Sequence, residues 1–293
     1  VLHRQPGVGL FFLAAGLRLG ILPLHIPFQS ELPMRIGLGT IVRLVPLSAS
    51  LVLLVRCTEV GIPVITGLVL LGLCALAGLA GGIGWLRAQD ELSGRSYWIM
   101  VCSSLAMAAA IQGQPEACIA WSLAAILLGN LIFLTSVRRR YLAPILLVGV
   151  ICLTSLPFTP TWAGSSVFQP MAASTNLLGQ VFAVLIGLIF FICHGLLLAG
   201  YLLHGLRGIL IPNRAESQQI DRWVWLLYMP GLVILLISHL MLGWQIHPMP
   251  NQVTLIMWVE GACALGMGVG VLYLTLRQLA PARLSHIFED SRI

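Results

Sequence analysis

Every one of the sixteen basic residues in this chain is arginine; there is no lysine. A guanidinium keeps its proton in a protein, whereas an imidazole exchanges one near neutral pH. Among basic side chains, proton transfer therefore falls to seven histidines: His3, His25, His194, His204, His239, His247 and His286. The seven cysteines, Cys57, Cys74, Cys102, Cys118, Cys152, Cys193 and Cys263, lie mostly in apolar runs without a short repeated spacing. They read as small packing residues and not as metal or disulfide ligands. No Gly-rich dinucleotide fingerprint and no cysteine set for an iron–sulfur cluster occurs. Redox chemistry would have to reside on another chain, and neither a cofactor nor a metal is expected here.

The elements that position these groups follow from composition. Of 293 residues, 58% are hydrophobic and 9% charged, too few charges to cover a soluble surface. Disorder, a nucleic-acid-binding module and a disulfide-stapled secreted domain are excluded on the same ground. Continuous apolar runs of roughly 20 residues mark spanning helices, because lipid leaves the backbone no other way to satisfy itself than a helix or a closed barrel. Nine such runs occur, at 8–28, 35–55, 62–86, 97–112, 117–137, 142–158, 177–203, 223–244 and 253–276, the fourth and sixth being short. The expected fold is all-α, a polytopic transmembrane helix bundle forming a single domain over 1–293, with a tail at 280–293. With the amino end outside, twelve arginines fall on the cytoplasmic face and two, Arg4 and Arg56, on the other. That asymmetry places the carboxyl end in the cytoplasm.

Ionisable groups inside a membrane are costly and are functional candidates by default. Counting about 1.5 Å of rise per residue from each cytoplasmic helix end, Arg18 lies roughly 15 Å deep, Arg43 roughly 12 Å, Asn130 roughly 10 Å and His194 roughly 14 Å. Four helices thus bring polar groups to one layer, as unrelated packing or snorkelling side chains would also do. Glu260 and His239 lie nearer the outer face. His194 and His239 differ by about 10 Å in depth, which argues against shared axial ligation of a haem.

Two stretches carry helix breakers at membrane depth. The first is 18–23, Arg-Leu-Gly-Ile-Leu-Pro, with Gly20 and Pro23; the second is 154–160, Thr-Ser-Leu-Pro-Phe-Thr-Pro, with Pro157 and Pro160. Proline removes a helical donor, and lipid tolerates the freed carbonyl only where protein or a hydrated cavity covers it. Breaks at corresponding positions of repeats point to an ion path, whereas prolines that merely end helices do not.

Residues 12–25, running from Phe12 through Arg18, Gly20 and Pro23 to His25, then Pro33 and Arg43, resemble the seventh and eighth helices of the antiporter-like subunits of respiratory complex I and of multisubunit cation/proton antiporters. Gln89-Asp90-Glu91-Leu92 with Ser103-Ser104 is similar to the start of that family's tenth helix. Residues 131–134 are similar to the end of the eleventh, and 155–164 to the broken helix and loop of the twelfth. The similarity covers residues 8–210 in order, leaving 211–279 as additional C-terminal spans. The resemblance implies a proton-translocating membrane subunit of a larger complex such as an NADH:quinone oxidoreductase. It also marks departures: the family's first six helices and their buried glutamate are missing, Arg18 and Arg43 stand where it has lysines, and its protonatable residue on the eleventh helix falls near Gly129, beside Asn130. A permanent charge sets a field but relays no proton, so the resemblance implies an altered or lost relay and a partly structural role.

The expected polar axis comprises Arg18, His25, Arg43, Asn130, His194 and Glu260, with Gly20, Pro23, Pro157 and Pro160 at the breaks. Expected partners are other membrane subunits and lipids, not nucleic acid, in an inner (plasma) membrane or equivalent energy-coupling membrane. Two other readings use the same residues: a non-transporting scaffold packed through small residues at 77–84 and 261–270, or an anion transporter binding its substrate with Arg18 and Arg43. Val1 is not an initiator methionine, and the chain reads as processed or incomplete.

Overall fold

The computed structural model describes residues 7–22, 36–135, 139–169, 177–210, 222–246 and 254–290. The described residues are helical and contain no strand. In order they form α1 (Val8–Arg18), α2 (Ile36–Cys57), α3 (Val64–Arg87), α4 (Arg95–Ile111), α5 (Pro115–Leu123), a π-turn (Ala124–Leu128), α6 (Gly129–Leu134) and α7 (Arg139–Leu153). A 3-10 helix (Trp162–Phe168) follows, then α8 (Leu177–Leu210), α9 (Arg222–Ile246) and α10 (Leu255–Asp290).

Six helical stretches are long and apolar enough to cross a membrane: Gly39–Cys57, Val64–Arg87, Pro115–Leu134, Gly179–Leu206, Met229–Ile246 and Leu255–Arg277. The chain is a helical membrane protein. The other three expected spans correspond to shorter apolar helices, Val8–Arg18, Arg95–Ile111 and Pro144–Leu153. Most of the expected tail continues α10 as far as Asp290.

The bundle is organised around α4, whose residues other than Tyr97 are buried. It packs against α3 and α5, while α8 packs against α3, α7 and α10. Small residues let these axes approach. A Cβ at Gly78 would sit 2.7 Å from Ser104 Oγ of α4 and 2.8 Å from Cys193 Sγ of α8, and one at Gly82 would sit 2.9 Å from Leu196 Cβ. The small residues of α3 therefore serve packing inside the chain. Those of α10 divide: Gly261 and Gly268 lie against Leu156 and Leu198, while Gly266 and Gly270 face open space.

Trp85, Trp98 and Phe133 pack edge-to-face, with centroids 5.5 Å apart for Trp85–Trp98, and Tyr201 lies tilted against Trp98 at 5.6 Å. Quadrupole complementarity favours such tilted pairs beyond their burial.

Candidate functional site, an interrupted helix

The α7 helix stops at Leu153, and the chain then folds back through 154–161 into the 3-10 helix. Ser155 (φ 55) and Phe158 (φ 70) both adopt left-handed backbone, which costs a residue with a Cβ about 1–2 kcal/mol. Among the described residues no other non-glycine does so. The backbone is held there by side chains from several neighbours.

A helix end leaves its last four carbonyls without intrahelical donors. Three of these four at the end of α7 receive side-chain donors. Thr154 Oγ1 donates to Ile151 O at 2.7 Å, Thr161 Oγ1 to Cys152 O at 2.7 Å, and His194 Nε2 lies 2.7 Å from Leu153 O. Because a carbonyl only accepts, the proton of His194 is on Nε2. Thr161 Oγ1 also accepts from Ser155 N–H at 3.2 Å, closing a six-residue loop on one hydroxyl. Beyond it, Thr159 Oγ1 donates to Leu156 O at 2.7 Å, and Trp244 Nε1 of α9 donates to Phe158 O at 2.8 Å.

The 3-10 helix is tied to the α4–α5 turn. Gln114 Nε2 donates to Ser166 O at 3.2 Å, Ser166 Oγ donates to Gln114 Oε1 at 3.0 Å, and Trp121 Nε1 donates to Gly164 O at 3.0 Å. Trp121 and Phe168 wall the fully buried imidazole of His194, with ring centroids 5.1 and 5.5 Å away. His194 Nδ1 and Ser155 Oγ are buried without a hydrogen-bond partner among the described residues. Pro157 and Pro160 are buried within the loop. Glu260 is half-buried on α10, next to Gly261, where a Cβ would meet Leu156 Cδ2 at 2.7 Å. The interrupted helix is thus enclosed by α5, α8, α9 and α10.

Arg18 is exposed in the last turn of α1. Arg43 is half-buried, and its charge acts on Arg95 at the first turn of α4, where Asp90 and Glu91 supply opposite charge. Arg95 and Glu91 are themselves buried, and the Arg95 guanidinium lies 5.7 Å from the Phe133 ring centre. Asn130 Nδ2 donates to Ile126 O at 2.9 Å. His25 and Pro23 lie outside the described residues.

Three features had little signal in the sequence. His204, ten residues beyond His194 on α8, places Nε2 2.8 Å from Trp85 O in the last turn of α3, so one helix uses two buried histidines to cap two neighbours. The buried Glu91–Arg95 turn was visible only as a short acidic motif. The π-turn has none of the usual breakers: Gly129 N–H donates to Ala124 O, and Ala125 O instead accepts from Trp98 Nε1 at 3.0 Å. A Cβ at Gly129 would sit 2.6 Å from that indole nitrogen, so the tryptophan fills the space a larger residue at 129 would need.

No family model, no curated protein and no solved structure matches this chain.

Proposed function

We propose that this chain is a membrane subunit of the antiporter-like kind, retaining the interrupted-helix scaffold but with its proton relay altered or lost, and acting partly as a structural member of a larger membrane complex. The observation that carries the reading is the pairing of Gly129 with Trp98. Near the position where the resembled family carries a protonatable side chain, this chain has Gly129, and a buried indole donating to Ala125 O occupies the volume beside it. The stitched loop at 154–161 supports retention of the scaffold, since a mere helix end would not need donors from α8 and α9. The arginines support loss of relay, because Arg18 and Arg43 hold their protons throughout. The energy-coupling membrane, the outside amino end and the companion subunits belong to the same reading.

Reconstitution of the purified chain into liposomes with a pH-sensitive dye tests it. We expect no proton flux above that of empty vesicles, and mild-detergent purification from the native membrane to bring companion subunits. Robust flux from the unmodified chain alone would refute a lost relay. Purification as a single species, without companions, would refute the structural role.

A further inference from the structure

His239 is fully buried on α9, and neither ring nitrogen has a hydrogen-bond partner among the described residues. Its direction is set by its helix. Leu232, His239 and Gly243 are buried, whereas Val233, Ile234, Ile237, Met241 and Leu242 are exposed, so one stripe of α9 faces the bundle and His239 is its centre. That stripe packs on α5, the π-turn, α6 and α7, with Gly243 against Pro160 of the interrupted segment.

The second observation comes from the opposing wall. A π-turn widens the helix by one residue and shifts its carbonyls out of the regular ladder, and such turns frequently mark functional positions. Here the turn takes two added side-chain donors, Trp98 Nε1 on Ala125 O and Asn130 Nδ2 on Ile126 O. The helix that carries this unpaired imidazole thus packs on a backbone already rearranged around its carbonyls.

We propose that His239 and the π-turn enclose an internal water-binding site. A neutral imidazole presents one N–H donor and one nitrogen acceptor, and water supplies both complements within hydrogen-bond length. The titratable described side chains on the packed elements are Glu116, exposed in the first turn of α5, and the thiols Cys118 and Cys152. None is a buried carboxylate that would hold His239 as a fixed cation, so the group stays neutral and asks for a neutral partner. The site stands whether or not the chain moves protons.

Two measurements test it on the full chain in detergent or nanodiscs. With ¹⁵N-labelled histidine, and His239→Gln used to assign the signals, the His239 ring nitrogens should resonate as hydrogen-bonded and respond to exchange into D2O. Unbonded ring nitrogens would overturn the proposal. In thermal unfolding, His239→Leu should lower the midpoint and His239→Gln should recover part of the loss. In a dry site, leucine would relieve an unpaired buried polar ring and raise the midpoint, which would also overturn it.

Discussion

The ends of α1 and α7 look alike in sequence, each with glycine or serine followed by proline at membrane depth, yet they are closed by different means. At α1 the backbone closes itself. Gly20 takes φ 77, its N–H donates to Leu17 O, and Ile21 N–H donates to Gly16 O at 2.9 Å, a Schellman cap in which glycine supplies the left-handed turn. At α7 the left-handed positions belong to Ser155 and Phe158, and the carbonyls are met by Thr154, Thr161 and His194. The first needs nothing from the rest of the bundle. The second combines two threonines of its own segment with donors from α8 and α9, and that dependence on other helices separates it from an ordinary terminus.

Four substitutions test this contrast by unfolding in mild detergent, from the largest effect down. Thr161→Val removes one hydroxyl that serves both Cys152 O and Ser155 N–H, and should cost about 3 kcal/mol, two buried backbone groups losing their partner together. A cost below ~1 kcal/mol would show that water replaces the hydroxyl. His194→Leu leaves Leu153 O unmet and should cost about 2 kcal/mol, with His194→Gln losing less. Gly20→Ala should cost about 1 kcal/mol through the left-handed turn alone, with no change at the α7 end. Ser155→Gly should do the reverse, a gain of up to about 1 kcal/mol, since its Oγ has no partner to lose. Were both glycine-related changes to shift stability in the same direction, the two ends would not differ as described.

The run lengths placed the helices well because hydrophobic length is a property of consecutive residues. Depth counting put His194 in one layer with Arg18, Arg43 and Asn130, since rise per residue is constant. Neither approach could find its partner, Leu153 O, which is 41 positions away and carries no side-chain signature. Depth along an axis likewise says nothing about which way the side chains of Arg18 and Arg43 reach. Arg43 acts on Arg95, and Arg18 is exposed. The π-turn was least legible, because Ala124–Leu128 is as good a regular helix as its neighbours and one of its added donors, Trp98, lies 27 residues from Ala125.

The enclosure of α4 has one more consequence. A helix surrounded by protein meets no hydrocarbon, so nothing requires it to match the bilayer's thickness; its 17 residues and three serines, Ser96, Ser103 and Ser104, are tolerable for that reason. During synthesis its covering is incomplete until α5, the next helix in the chain, has emerged to join α3. Until then it is a poor candidate to rest alone in lipid, and it should enter together with α3 or wait at the insertion machinery for its companions.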